Sequence, residues 1–530
     1  MLALAPQYPS HLLSTLTRVR APFASAFLLV ALGLGGCVAT IGSEPLEREP
    51  SWVLPPAHDS DLGRLLHPGD PAGSSRFAPV DRGPEGLDLR LALASTAEVS
   101  LDVQSYLWHE DGAGSLLLER LLKAADRGVR VRLLIDGFKL EGNEDLDEGL
   151  DLHPNLEIRV FNPTLHRSGT WRKLELLENL GRLDHRMHNK LLLADGVAGV
   201  FGGRNVGDEY FGLGEVADFR DFDLFAAGPV VAELGASFDE FWNGEWTVPL
   251  RVLIGQPGQG RQDEAHAVAR AGLRALHNDL AHLDERRSLE PEAWLAALGR
   301  ASAAMLPGRA RVVHDSEHLA RQGATGVLGQ AFEAALGAAD GHVLIVTAYL
   351  VPDENFLEEV RTHIAMGHRV QILTNSRATN NQPLAHSYYA RSRDDLLDAG
   401  AELYELRHDA FSHVLHRSPG SDASGLGLHA KSAVFGTDHV LVGSMNVDPR
   451  SMQLNTELGV LIESPQLAAR VRALLARELE PRNAWRVTRG PTGALRWEAG
   501  AVVLEDEPGE GSDRSFKEWL LELLPLRGEV

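Results

Sequence analysis

Two stretches of this chain repeat one another at a fixed distance, and that repetition limits the fold more than any other feature. "MHNKLLLADGVAGVFGGRN" runs from Met187 to Asn205, and "LHAKSAVFGTDHVLVGSMN" runs from Leu428 to Asn446. His188 and His429 stand 241 residues apart, as do Asn205 and Asn446, while the upstream Gly128 and Gly367 stand 239 apart. A period this long means duplicated domains rather than a stack of short repeats.

Each stretch is preceded by the same local pattern. "AEVSLDVQSYLW" reads as a strand, "SLLLERLLKAADRG" places leucines at helical spacing before a glycine stop, and "VRVRLLID" alternates as a strand. "GHVLIVTAYLVP", "ENFLEEVRTHIAMG" and "HRVQILTN" repeat that order. Strand, helix, strand implies a right-handed crossover onto a parallel pair. The expected fold is therefore α/β, with two duplicated lobes and mainly parallel sheets.

Composition sets the remaining bounds. With 530 residues, 44% of them hydrophobic, the chain is long enough for two fused domains. A formal charge of −23 argues against a general nucleic-acid binder, whose affinity rests on Lys and Arg against phosphates. Cys37 is the single cysteine, and it ends the apolar run "APFASAFLLVALGLGGC" behind Arg18 and Arg20. That is the layout of a secretory signal. "LGGC" resembles a bacterial lipobox, which implies lipidation of Cys37 and a lipoprotein facing the periplasm. Val38 after the cysteine favours the outer membrane over the inner.

The expected organisation is a signal peptide over 1–36, a Pro/Gly/Ser-rich tether over 37–83 and a first lobe over 84–254. A helical linker over 255–306, a second lobe over 307–482 and a C-terminal extension over 483–530 follow. The repeated motifs occupy 183–210 and 424–451. His266, His277 and His282 in the linker read as solvated, because a metal pair on a helix face wants i and i+4. Near the end, "RSFKEWLLELLPLRGEV" lines apolar residues along one helical face, suited to docking on the protein or lying on a membrane.

In an extended strand, residues two apart share a face, so His188 and Lys190 point together, as do His429 and Lys431. Gly202 and Gly203, and Gly443 with Ser444, permit a sharp turn and close approach to a ligand. Asn205 and Asn446 add amide groups. Two such sets brought together suit a phosphodiester: one imidazole attacks phosphorus, the other protonates the leaving alcohol, and cations and amides hold the oxygens. A neutral, oriented imidazole needs a carboxylate on its other nitrogen. Asp221 in "FRDFDLF" and Glu457 in "LNTELGVLI" are the candidates. This arrangement requires no metal and no cofactor.

The two stretches resemble the paired H-x-K-x-x-x-x-D motifs of the phospholipase D superfamily, each followed by G-[GS]-x-N. The resemblance extends through "GGRNVGDEYFG", "GPVVAELGASFDEFWN" and "GSMNVDPRSMQLNTELGVLIES", covers most of Leu87 to Arg482, and is nearest to the bacterial cardiolipin synthase C-like branch. It implies a pseudo-twofold bilobal fold with the site between the lobes. It implies His188 as nucleophile, forming a phosphatidyl-histidine, and His429 as general acid and then base. Lys190, Lys431, Asn205 and Asn446 would bind phosphate, Asp221 and Glu457 would brace the histidines, and Asp195 would support the turn.

The resemblance further implies phospholipid substrates at a membrane surface: cardiolipin made from phosphatidylglycerol and a second phospholipid, with phosphatidylethanolamine a candidate donor. Phospholipase D hydrolysis to phosphatidic acid is the near alternative. A nuclease or an inactive lipid-binding scaffold are the further ones. Gly436 departs from the pattern, standing where Asp195 stands in the first copy. That position is one residue off the His–Lys face, so its loss is expected to loosen a loop rather than abolish chemistry. Asp438 reads as a simple turn aspartate.

Overall fold

The computed structural model describes residues 49–66, 73–137, 153–164, 180–254, 289–318, 326–419 and 421–509. Cys37 and its apolar run, the three linker histidines and the apolar C-terminal segment lie outside the described residues.

The first half carries β1 (Ser75–Val80), β2 (Ser100–Ser105), β3 (Arg130–Asp136), β4 (Leu156–Phe161), β5 (Leu191–Ala194), β6 (Ala198–Gly202), β7 (Ala217–Arg220), β8 (Asp223–Ala227) and β9 (Thr247–Pro249). The second half carries β10 (Leu306–His314), β11 (Val343–Val346), β12 (Val370–Asn375), β13 (Glu402–Leu406), β14 (Gly425–Leu428), β15 (Ser432–Phe435), β16 (His439–Gly443), β17 (Leu458–Glu463) and β18 (Ala484–Arg489). Two further strands, β19 (Leu495–Ala499) and β20 (Val502–Leu504), extend its edge.

All but β7 and β14 join one mixed sheet. Its first half runs β9-β4-β3-β2-β5-β6-β8-β1 and its second β10-β17-β16-β15-β11-β12-β13-β18. The strands β2, β3 and β4 are mutually parallel, and so are β11, β12 and β13, as the crossovers require. The other pairings in this sheet are antiparallel. Strands β1 and β10 pair antiparallel at the centre, with Phe77 opposite Leu306, so the halves meet about a local twofold.

The crossover helices form where the leucine spacing placed them. Helix Gly112–Asp126 starts at Asp111, whose carboxylate accepts the Gly114 N–H at 3.0 Å, and buries Leu116, Leu117 and Leu121. Helix Glu354–Ala365 starts in the same way, at Asp353 on the Phe356 N–H, 2.9 Å away. Gly128 and Gly367 beyond their ends have φ of +95° and +84°, the left-handed stop that glycine adopts without cost. One apolar layer contains residues of both halves, including Phe77, Phe201 and Leu224 with Val346, Val442 and Val460.

Two boundaries differ from expectation. Of the expected tether, residues 49–66 and 73–83 are integrated into the fold. Val53 N–H donates to Asp239 at 2.9 Å, and β1 lies between β8 and β10. The strand is short, and Pro79 breaks its pattern. Only Ser75, Arg76 and Phe77 pair with β10, so the missing N–H of Pro79 falls where no second neighbour needs it. Residues 484–504 likewise belong to the sheet: β18 flanks β13 as β9 flanks β4.

Candidate active site

The repeated histidines sit in extended chain just ahead of β5 and β15, and each is held from the opposite half. The His188 N–H donates to Thr456 O at 2.9 Å, and the His429 N–H donates to Arg220 O at 2.9 Å. The residue following each acceptor is a carboxylate that reaches the same imidazole. His188 Nδ1 lies 2.9 Å from Glu457 Oε2, and His429 Nδ1 lies 2.6 Å from Asp221 Oδ2. Glu457 and Asp221 are equivalent by register: each stands two residues before the partner of a turn glycine, in the pairs Gly443↔Gly459 and Gly202↔Asp223. Asp221 and Glu457 are the two carboxylates singled out in the sequence. That each serves the histidine of the other half depends on the three-dimensional packing of the two copies.

Close approach in the glycine turns is to these carboxylates and their strands. A Cβ on Gly203 would lie 2.1 Å from Asp221 Oδ1, and one on Gly443 would lie 2.2 Å from Leu458 O. At the position of Gly203 the second half has Ser444, whose hydroxyl donates to Glu457. The expected close approach to a ligand is thus an approach to the bracing groups.

Lys190 and Lys431 each donate from Nζ to the carbonyl of their own histidine, His188 and His429. Asn205 Nδ2 donates to the Tyr210 hydroxyl at 2.9 Å, while Asn446 Oδ1 is buried without a hydrogen bond among the described residues. Two aromatic rings that the motif does not mark complete the walls. Tyr106 packs edge-on to His188 at 4.9 Å between centroids, and Tyr210 to His429 at 5.0 Å. Tyr106 stands in a strand-like run, and Tyr210 in "GGRNVGDEYFG", a stretch that carries the resemblance without marking the ring.

The electrostatics of the two sets interpenetrate. Burial, then Lys190 and Lys431, hold His188 well below the usual imidazole range. Burial and Lys431 push His429 down to about 4, against the opposing pull of Asp221. Burial brings Lys431 down to about 8, opposed by Asp221 and Glu457. The two carboxylates differ. Burial carries Glu457 up to about 7 despite Lys190, whereas His429 beside Asp221 overcomes burial and holds it below the ordinary range.

Asp195 and Gly436 adopt the same left-handed conformation, with φ of +55° and +57°. The Asp195 carboxylate accepts the N–H groups of Glu98, Val99 and Ser100, at 2.8 Å for Val99 and 3.0 Å for Ser100, and so pins the β5–β6 turn to the start of β2. In the second half a Cβ at Gly436 would lie 2.7 Å from Asp340 O. Arg472 instead fastens the turn, donating to Gly436 O and, at 2.9 Å, to His342 O just ahead of β11. The loop expected to be loosened is fastened by another residue. The Asp438 carboxylate lies 2.9 Å from His439 Nδ1, and its backbone carbonyl accepts the Ser464 N–H at 2.7 Å.

Among the described residues, His109, Asp111 and Glu209 are the one set of side chains close enough together to share a metal ion. Asp111 there is committed to the helix cap and, at 2.7 Å, to the Asp208 N–H. No helix among the described residues is long and apolar enough to cross a membrane.

Residues 91–242 and 332–479 match the family model described as "Cardiolipin synthase, PLD-like domain". The chain is 33% identical to cardiolipin synthase C of Escherichia coli K12 over 462 residues, covering 86% of this chain and 96% of that protein. It is 26% identical to cardiolipin synthase A of Pseudomonas syringae, over 72% of this chain and 63% of that one. Among solved structures, a phosphatidylserine synthase from Haemophilus influenzae shares the fold with a TM-score of 0.51 and 15% identity, over 76% of this chain and 86% of that one. With a duplicated family match spanning more than half of its length, the chain belongs to the phospholipase D-like family of cardiolipin synthases.

Proposed function

We propose that this protein is a phosphatidyltransferase that makes cardiolipin from phosphatidylglycerol and a second phospholipid, with phosphatidylethanolamine a candidate donor. The observation that carries the reading is the crossed pair of dyads, His188–Glu457 and His429–Asp221, with a lysine beside each histidine. With both Nδ1 atoms engaged, the Nε2 atoms are left for chemistry.

His188, kept neutral by burial and two lysines, attacks phosphorus through Nε2. The bond from phosphorus to the headgroup oxygen breaks, and His429 gives that oxygen its proton. The incoming phosphodiester offsets the lysine charge that depresses His429, and the anionic Asp221 supports the imidazolium form. In the second half-reaction the hydroxyl of phosphatidylglycerol yields its proton to His429 and attacks phosphorus. The P–N bond breaks and His188 is restored. Lys190, Lys431, Asn205 and Asn446 stabilise charge on the non-bridging oxygens through both steps. Water competes with the lipid alcohol for the same intermediate, which makes phospholipase D hydrolysis the alternative outcome of one mechanism. A lipid substrate fits the expected acylation of Cys37 and attachment to the cell envelope.

The test is a product assay on purified full-length protein with phosphatidylglycerol vesicles, with and without phosphatidylethanolamine. Cardiolipin formation is expected. Phosphatidic acid without cardiolipin would assign the site to hydrolysis instead.

A further inference from the structure

We propose that an exposed apolar tip formed by Val216, Phe411 and Val414 docks the protein onto a phospholipid surface beside the active site. These side chains are 77%, 61% and 65% exposed, whereas most other apolar residues among those described are buried. Their placement in the fold is what gives them meaning.

Strands β7 and β14 form a separate two-stranded parallel ribbon, in which Ala217 pairs with Gly425 and Arg220 with Leu428. The next residues of the two strands are Asp221 and His429, which bond to each other at 2.6 Å. One end of the ribbon is therefore the active site. Val216 is the residue before the other end, about 15 Å away at the rise of an extended strand. Phe411 and Val414 lie in the connection that leaves the carboxyl end of β13 and runs to β14. Carboxyl ends of parallel strands are where ligands bind in α/β sheets, and this connection leads directly into His429. His413, beside Val414, lies 2.8 Å from Asp218, two residues after Val216.

The surroundings suit the boundary between water and lipid. The Arg482 guanidinium stacks over Phe411 at 4.8 Å, and Arg407 over the half-buried Trp485 at 4.5 Å. Arginine stems and tryptophan rings favour that boundary, with apolar bodies on one side and polar heads on the other. Arg407 is paired with Asp409 and Arg482 with Glu480, and the exposed Glu215 beside Val216 stays in water at the headgroup level, so shallow insertion of the tip strips little charge of water. An apolar tip beside a site whose substrate is held in a bilayer brings the phosphodiester to the histidines without extracting the lipid. This inference rests on the phospholipid reading of that site.

The experiment uses the full chain bearing Val414→Cys, labelled with an environment-sensitive fluorophore after acylation of Cys37. A Met366→Cys chain, labelled at an exposed site ahead of the amino end of β12, is the control. On phosphatidylglycerol–phosphatidylethanolamine vesicles, the label at 414 should shift to the blue and be quenched by spin-labelled acyl chains, while the label at 366 stays in water. In parallel, Phe411→Asp with Val414→Asp should lower turnover of vesicle lipid about tenfold or more, since burying one such side chain is worth roughly a factor of ten. Turnover of a dissolved short-chain phospholipid should not change. Equal behaviour of the two labels, or a shift at 414 that depends on protein concentration without vesicles and so reports a second copy, would overturn the proposal. Lipid contact at 414 with no turnover of either substrate would instead sink the phosphatidyltransferase reading and leave the docking surface standing.

Discussion

Glu457, from the second half of the chain, receives the Nδ1 side of His188, from the first, at 2.9 Å. The reciprocal bond from His429 to Asp221 makes the site a single object built across the halves. Neither half owns a complete dyad. Replacing Asp221 by Asn keeps the shape but turns an acceptor into a donor and favours the wrong imidazole tautomer. The expected loss in kcat is about 10²–10⁴-fold, the range for such a change at a braced histidine. Steady-state kinetics beside an unchanged melting profile checks this, and a loss of less than about threefold would remove Asp221 from its bracing role.

The turn position before each asparagine separates the halves in a testable way. Gly203→Ala would place a Cβ 2.1 Å from Asp221 Oδ1, so the carboxylate must move away from His429. Ser444→Ala in the other half removes only a hydroxyl from Glu457. Gly203→Ala is expected to be the more damaging by at least about tenfold in kcat, because displacing a brace disturbs the geometry that a lost hydrogen bond of roughly 1 kcal/mol leaves intact.

Arg472 replaces in the second half what Asp195 does in the first. Asp195→Ala strands three backbone N–H groups and should cost ~2–4 kcal/mol in denaturant unfolding. Arg472→Ala should cost ~1–2 kcal/mol, its guanidinium being half-buried. Gly436→Asp, which restores the family pattern, is expected to destabilise by ~1–3 kcal/mol, since its Cβ meets Asp340 O at 2.7 Å. A stabilising Gly436→Asp would show that Arg472 is not an adequate substitute.

Lys431, brought down to about 8 by burial, sets the alkaline limb of activity. It is charged below that value and neutral above it, so phosphate stabilisation is present at low pH and lost as pH rises through about 8. On the acid side, the depressed histidines keep the nucleophile neutral until well below its ordinary range. With the bound phosphodiester holding the proton on His429, the profile of kcat should rise as Glu457 ionises through about 7 and fall as Lys431 loses its proton above about 8. Lys431→Arg should remove the alkaline limb even if the rate is lower, because guanidinium does not titrate there. Persistence of that limb would assign it elsewhere.

The sequence made the duplication and the candidate site groups legible because fixed spacing survives in one dimension. The crossover units were readable from leucine periodicity and glycine stops, and Asp221 and Glu457 from their place downstream of each asparagine. The crossing of the dyads was not readable, because both copies contain both residue types and only packing decides which pairs form. β1 escaped because a six-residue strand with a proline has too little pattern, although it is central to the sheet. The compensation by Arg472 escaped for a related reason: one arginine on an amphipathic helix looks like any solvated residue until its carbonyl partners are in place.

The most direct test of the crossed site is to trap the covalent step. A phosphatidyl ester of p-nitrophenol breaks its P–O bond without a proton from His429, so a His429→Ala chain can form the P–N bond and then stall. Mass spectrometry after an alkaline quench, which preserves phosphoramidates, should find the phosphatidyl group on the peptide carrying His188. No adduct is expected in His188→Ala. An adduct on His429 in the His188→Ala chain but none on His188, or release of nitrophenol with no adduct in either variant, would contradict the assignment of His188 as the nucleophile of a single active site shared by the two halves.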